Sequence, residues 1–298
     1  MNQLNNILAL VTHDIGNQHA VQKAIFLAEK ANAQLTLLIV SPHQRTFFLS
    51  VKDKEKLLIQ QKIKDEISRL INEVKARGIN IELQVMEGNR DYKSVLNLLA
   101  QRHFDLVIKN HEFHQHRLFG VSIADDCHLL RDIDTPVMLV NGGCWSSDGH
   151  IVTAIDVDDT NEQHSHFNHD ILHSSGIFSN ILGTDVHLLN CYLGEEHSME
   201  IKFRGEQQKP LTQKEIHQLK LAEYSKDLML ASDHVHLELG FPDDVIPKVA
   251  EKYQADIIIL GAGEHHGLSH LFSGHTSEYV IDRVHCDVLA LKPTQFVH

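Results

Sequence analysis

Apolar runs of four to eight residues alternate along the chain with longer segments of helical periodicity, the pattern of βαβ units that build a parallel sheet. In the first half these runs fall near residues 6–13, 34–41, 79–86, 104–109 and 136–140. Between the first two, Val21, Ala24, Ile25, Ala28 and Ala31 recur on one helical face. Between the second and third, Ile59, Ile63, Ile67, Leu70 and Val74 do the same. Both faces are expected to pack on a sheet. The run near 79–86 differs, because Ile79, Ile81, Leu83 and Val85 alternate with polar residues, as in a strand nearer an edge.

The second half repeats this order, with strands predicted near 150–156, 185–191, 234–239, 256–260 and 287–291. HFDLVIKN from His103 aligns without a gap with QADIIILG from Gln254, at an offset of 151, and TPVMLV from Thr135 corresponds to CDVLAL from Cys286. A G-x-x-D turn occurs at Gly88 to Asp91 and again at Gly240 to Asp243, and predicted strands end in Asp14 and Asp156. Such repetition outweighs local propensity. It predicts two α/β domains, residues 1–143 and 149–298, parted in the Gly- and Ser-rich stretch 141–149. Each is expected to be Rossmann-like, a five-stranded parallel sheet of order 3-2-1-4-5 with helices on both faces. Ligands favour the crevice where that order reverses, between the first and fourth strands. Asp14 and Asn110 stand there in the first domain, Asp156 and Gly261 in the second. A polar insertion at 193–211 reads as a surface loop, Thr212 and Glu215 fit a capping box, and Asp243 fits an N-cap with Pro247 still in the first turn.

Composition narrows the function classes. The 298 residues are 42% hydrophobic, enough for two real cores. A formal charge of -13 opposes attraction to phosphate backbones and anionic lipid, so neither nucleic acid nor membrane is an expected partner. The opening MNQLNNILALVTHD lacks a basic flank and a cleavage site, which makes the cytoplasm the expected location. Cys127, Cys144, Cys191 and Cys286 are far apart and read as reduced, mostly packed thiols. The 24 histidines stand out, since partial protonation below pH 7 would offset part of the acidic charge.

After the fourth strand of the second domain comes GAGEHHGLSHLFSGHTSEYVIDRV. Gly261, Gly263 and Gly267 permit tight turns, and Gly274 precedes a helix opened by Thr276 and Ser277, so backbone N–H groups there could cradle an anion. A glycine-rich connection with an ordinary helix cap is the competing reading. His111, His114 and His116 fall near His13 and Asp14 in the first crevice, while His164, His166, His169 and His173 include an i, i+4 pair. Zinc at either set is one reading and solvated surface histidines the other. No G-x-x-x-x-G-K-[ST], G-x-G-x-x-G or G-x-S-x-G occurs, so P-loop, dinucleotide and serine-hydrolase chemistry lack their residues.

Over nearly its whole length the chain resembles the universal stress protein family in its tandem-domain form. The resemblance is carried by FDLVIKN with HLLRDIDTPVMLV in the first half, and by GFPDDVIPKVAEKYQADIIILG with FSGHTSEYVIDRVHCDVLALKP in the second. HSHFNHDIL also resembles an H-x2-(hydrophobic)-N pattern that opens the second domain, matched by His164, Phe167 and Asn168. The family's nucleotide-binding members carry G-x2-G-x9-G-[ST] and an aspartate ending the first strand. The matching frame here is Gly261, Glu264, Gly274 and His275, with the spacing kept and two of four positions changed. In the first half it is Asn110, Phe113, Ile123 and Ala124, with no glycine. The resemblance thus implies a nucleotide site only in the second domain, at Asp156, Gly261, Gly263, Glu264, Gly267, Gly274, His275, Thr276 and Ser277. Glu264 within about 4 Å of a phosphate oxygen would repel it by roughly 4 kcal/mol at an effective dielectric of 20. His265, His266 and His275 could offset this, so weak binding of ATP or AMP is expected.

The expected function is that of a non-catalytic cytoplasmic stress-response protein that senses a small ligand or contacts a protein partner. Its two domains are expected to form an intramolecular pseudo-dimer through TPVMLV and DVLALK, with homodimerisation left open. One alternative is a slow, metal-assisted ATPase in the second domain. Another is a binder of a small acyl or lipid-like ligand lined by Phe113, Phe119 and Ile123.

Overall fold

The computed structural model describes residues 3–12, 17–41, 51–87, 91–111, 125–158, 161–194, 211–262 and 280–293. The chain divides into two units, Met1–Cys144 and Trp145–His298. The first has strands β1 (Asn6–Leu10), β2 (Gln34–Ser41), β3 (Ile81–Glu87), β4 (Leu106–Asn110) and β5 (Val137–Val140), with helices α1 (His19–Ala31), α2 (Val51–Ala76), α3 (Asp91–Leu99) and α4 (Asp125–Asp132). Its strands pair in parallel in the order β3-β2-β1-β4-β5. The second has β6 (His150–Ala154), β7 (Asp185–Tyr192), β8 (Val235–Leu239), β9 (Ala255–Gly261) and β10 (Asp287–Leu291), with α5 (Glu162–Leu182), α6 (Gln213–Tyr224) and α7 (Pro242–Lys252). Its order is β8-β7-β6-β9-β10, again all parallel. Both are the 3-2-1-4-5 arrangement that the repeat predicts. No helix among the described residues is long and apolar enough to cross a membrane.

Burial follows the hydrophobic pattern. Ile7, Leu8, Leu35, Leu37, Val107 and Ile108 in the first unit, and Ile151, Leu188, Ile258 and Leu289 in the second, are fully buried strand residues. Covering each such side chain contributes about 1.5–3 kcal/mol. Val21, Ala24 and Ala28 of α1 and Ile63, Ile67 and Val74 of α2 are buried as their spacing requires. β3 stands at the end of its unit's sheet, and its Val85 is 41% exposed.

Several boundaries differ from the predicted ones for local reasons. β1 stops at Leu10 and β6 at Ala154, short of the predicted 13 and 156. In the second case the ladder continues for one bond, from the Ile155 N–H to the Leu189 carbonyl at 3.0 Å. The chain then folds back as the Asp158 N–H donates to Asp156 Oδ1 at 2.9 Å. Helix α7 is capped at Phe241 rather than Asp243, because Pro242 suits the first helical position and holds the preceding residue extended. Pro247 therefore lies in the second turn. The Asp243 carbonyl that its missing N–H leaves over accepts from Arg283 Nη1 at 3.1 Å, and Arg283 also pairs with Asp244 at 2.9 Å. The capping box at Thr212 and Glu215 is present.

The stretch 141–149 is built by contacts that composition does not convey. Trp145 Nε1 donates to the buried Asp287 at 2.8 Å, and the Ser146 N–H donates to Asp256 Oδ2 at 2.8 Å. A Cβ on Gly149 would lie 1.7 Å from that same carboxylate oxygen, so a larger residue would have to displace the Asp256 side chain from Ser146.

β4 is buried along its whole length and yet carries Lys109. Its ammonium lies 2.9 Å from Asp126 Oδ1 on α4, and the Asn110 carbonyl accepts from it at 3.2 Å. His111 Nδ1 meets the other Asp126 oxygen at 2.8 Å. Removing one partner from a buried ion cluster strands the other charge. Asp126→Ala should therefore cost the first unit about 3–5 kcal/mol in urea unfolding, and Asp126→Asn, which keeps an acceptor, should cost less. A loss below about 1 kcal/mol for the alanine variant would show that Lys109 does not need the carboxylate.

Candidate functional site

The carboxyl ends of β6 and β9 form the crevice of the second unit. α5 is fastened there by three residues of one motif. His164 Nε2 and Asn168 Nδ2, one turn apart, both donate to the Asp156 carbonyl, at 2.7 and 2.6 Å. Phe167, between them, packs against Gly261, where a Cβ would lie 2.6 Å from the ring. The H-x2-(hydrophobic)-N pattern is thus a clamp between a helix and two adjacent strand ends. Asn161 caps the helix from its own chain, accepting from the N–H groups of Gln163 and His164 at 2.7 and 3.3 Å.

Asp156 is 3% exposed. Its Oδ1 accepts from the Asp158 N–H, but Oδ2 has no hydrogen-bond partner among the described residues, and neither do His164 Nδ1 and Asn168 Oδ1. Burial pushes the Asp156 carboxyl up to about 6, against the lowering effects of the Asp158 N–H and His164. A buried carboxyl held near neutrality, with one oxygen uncommitted at a strand switch point, marks a candidate binding group.

Around it lies a polar shell that the sequence reading does not pick out. His217 of α6 contacts Asp158 Oδ1 through Nε2 and Asn190 Oδ1 through Nδ1, each at 2.7 Å. Asn190 in turn donates to the Ile155 carbonyl at 3.0 Å, and Lys220 donates to the Val157 carbonyl. Tyr224 Oη meets Ser165 at 3.1 Å and Asn168 at 3.4 Å. Burial would raise the Asp158 carboxyl, but the His217 hydrogen bond and charge outweigh it and hold it below its ordinary value. The available signal was the spacing of His217, Lys220 and Tyr224 on one face of α6, together with a lone Asn190 inside the apolar strand β7.

The first unit fills the same crevice from within. Asn110, which stands where the repeat places Gly261, accepts from the Ala20 N–H at 2.7 Å through Oδ1. Its Nδ2 donates to the carbonyl and side-chain oxygens of Asn17 at 2.7 and 2.8 Å. Gln18, at the N-cap of α1, makes no side-chain cap bond, so a strand residue ninety positions away along the chain does the capping. The N–H that an anion would seek is already taken. A separate cleft of about 330 Å³ lies between α1 and α2, lined by Val21, Ile63 and Ile67 with Gln18, Glu66 and Arg69 at its polar parts.

Of the predicted site residues, Asp156 and Gly261 are placed together at this crevice. Gly263, Glu264, Gly267, Gly274, His275, Thr276 and Ser277 lie outside the described residues, as do His13, Asp14, Phe113, His114, His116, Phe119 and Ile123. The histidines of α5 are neither a metal set nor uniformly solvated. His164 is buried on Asp156, His169 pairs with Asp227 at 2.5 Å, and His166 lies 3.9 Å from Glu162. Among the described residues no three His, Cys, Asp or Glu side chains are arranged to hold a metal ion. Gly261→Ala should destabilise the second unit by about 1–3 kcal/mol through its clash with Phe167. Adding Phe167→Leu should recover part of that loss in thermal unfolding, and strictly additive losses would rule the contact out as the cause.

Residues 178–292 match the model of the universal stress protein family. Universal stress protein E of Escherichia coli K12 is 25% identical, over 99% of this chain and 96% of its own length. The universal stress protein E homolog of Haemophilus influenzae is 22% identical, over 98% and 99%. In fold, a universal stress protein from Archaeoglobus fulgidus superposes with a TM-score of 0.67 at 16% identity, over 98% of both chains. A functionally unknown protein from Pseudomonas aeruginosa PAO1 gives 0.70 at 20% identity, over 97% of this chain and 93% of its own. In its duplicated 3-2-1-4-5 sheets and along nearly its full length, the chain is similar to universal stress proteins of the tandem type, and its residues 178–292 match that family's model.

Proposed function

We propose that this is a non-catalytic stress-response protein whose second unit senses a small ligand, with weak adenine-nucleotide binding at the ends of β6 and β9. The asymmetry between the two crevices carries the reading. In the first unit Asn110 occupies the helix N–H and closes the position. In the second, Gly261 offers no such polar side chain and takes the Phe167 ring instead, while Asp156 keeps an uncommitted buried oxygen. Ionised, that oxygen accepts a hydrogen bond from an amino or hydroxyl group, and protonated it donates one.

Calorimetric titration of the full chain with AMP and with ATP should give dissociation constants near the millimolar range, about -4 kcal/mol of binding free energy. Asp156→Asn should change that affinity, whereas Asn110→Asp, in the first unit, should not. No heat at millimolar ligand removes the nucleotide, and turnover of ATP that is lost with Asp156→Asn replaces sensing with hydrolysis.

Asp156 also makes a stability prediction. Its carboxyl in the folded chain lies above the unfolded value, so the group destabilises the fold increasingly as pH rises from about 4 to about 6 and fully above that. Asp156→Asn should accordingly stabilise the second unit at pH 7 by something on the order of 2–3 kcal/mol, with the gain vanishing near pH 4. Urea unfolding at the two pH values checks this, and a variant less stable than the parent at pH 7 contradicts it.

A further inference from the structure

Four histidines that belong to no motif meet on one face of the second unit's sheet. His150 opens β6, His187 lies in β7, His236 lies in β8, and His234 ends the 3-10 turn Ser232–His234 just before it. The strand register brings them together. Val152 pairs with His187 and Leu189 pairs with His236, so His150, His187 and His236 step two residues per strand and share a face. His187 Nδ1 lies 2.9 Å from His236 Nε2, and His187 Nε2 lies 3.2 Å from His150 Nδ1. Tyr253, at the end of α7, stacks over His187 and His236 with ring centroids 4.2 and 4.7 Å away. The His234 ring lies 4.5 Å from that of His187. His187 is 3% exposed and His236 9%.

This array has a limited capacity for protons. Each nitrogen-to-nitrogen contact is a hydrogen bond only when one of the two nitrogens carries hydrogen and the other does not. Three neutral rings supply three hydrogens, one for each contact and one for an outer nitrogen. The remaining outer nitrogen can take one more. Any proton beyond that sets N–H against N–H, whereas the same three rings in an opened chain each accept a proton freely.

The geometry points to a proton-operated latch, in which the His150–His187–His236 array holds edge strand β8 on β7 while its rings are largely neutral and releases it on acidification. The charged surroundings set its strength. Asp185 of β7, Asp233 of the turn and Glu238 of β8 favour protonation, while His234 and Lys252 of α7 oppose it. Lys252 sits 4.7 Å from the Tyr253 ring centroid. Burial first, and then the neighbouring histidines, pull His187 down to about 4, and burial followed by Lys252 lowers His236. For a base lowered in the folded chain, the stabilisation is complete above the unfolded value near 6.5 and is lost as pH falls from there towards 4.

Hydrogen exchange on the full chain between pH 7.5 and 5, corrected for intrinsic rates, tests the latch. The opening constant of residues 235–239 should rise about tenfold per pH unit between 6 and 5 if one proton is taken up, and about a hundredfold if two are. β2 of the first unit should show no such local rise. In the folded protein the His187 ring resonances should titrate below pH 5. His187→Phe keeps a ring under Tyr253 and removes the central titration, so it should flatten the acid dependence of β8 even if the unit is weaker throughout. Protection of β8 that stays level down to pH 5, a His187 titration near 6.5, or a His187→Phe chain as acid-sensitive as the parent each overturns the latch.

Discussion

A parallel sheet buried on both faces satisfies its backbone along the strands but not at their carboxyl ends, where the last carbonyls must find other donors or water. In the second unit that requirement is met at Asp156. Its carbonyl takes hydrogen bonds from both His164 and Asn168, which fixes α5 across the end of β6. The rest of the crevice depends on this pair of hydrogen bonds. It sets Phe167 against Gly261, holds the Asp156 carboxyl in a low-dielectric position, and orients the turn on which Asp158 meets His217.

The first unit solves the same problem differently. Asn110 supplies from the strand what α1 lacks at its own N-terminus, and the Lys109–Asp126–His111 cluster neutralises charge behind it. Filling a crevice with side chains that hydrogen-bond one another leaves little for a ligand to gain, since every donor offered must first be released. Among the described residues, one scaffold therefore carries a strand end at which Asn110 is fully engaged and another at which Asp156 keeps an oxygen to spare. This is how duplicated domains diverge without altering their fold, because the change is confined to residues at and just after the strand ends.

Among the described residues, histidine serves at least three distinct purposes. His164 and His217 are structural hydrogen-bonding groups around the crevice, His111 shares a buried carboxylate with a lysine, and His150, His187 and His236 bond to one another. Only the last arrangement uses imidazole as both donor and acceptor to its own kind, which is what ties it to proton concentration. The first two were legible as candidate residues in part, through the H-x2-(hydrophobic)-N pattern and the histidines after β4. The third was not, because its members are separated by 37 and 49 positions and share no local spacing.

The sequence by itself determined the duplicated order of elements, the 3-2-1-4-5 sheets and the contrast between Asn110 and Gly261, since hydrophobic period and repeat alignment are local or internal properties of the chain. The predicted cap at Asp243 failed for an equally local reason, the preference of Pro242 for the first helical position. What only the tertiary structure decided was which polar residues meet. Whether Gly261 serves a turn or a packed ring, whether His164 is solvated or buried, and whether His187 faces water or two other imidazoles all depend on strand register and helix placement. Those are fixed by contacts between residues far apart in the chain, and no spacing within one element encodes them.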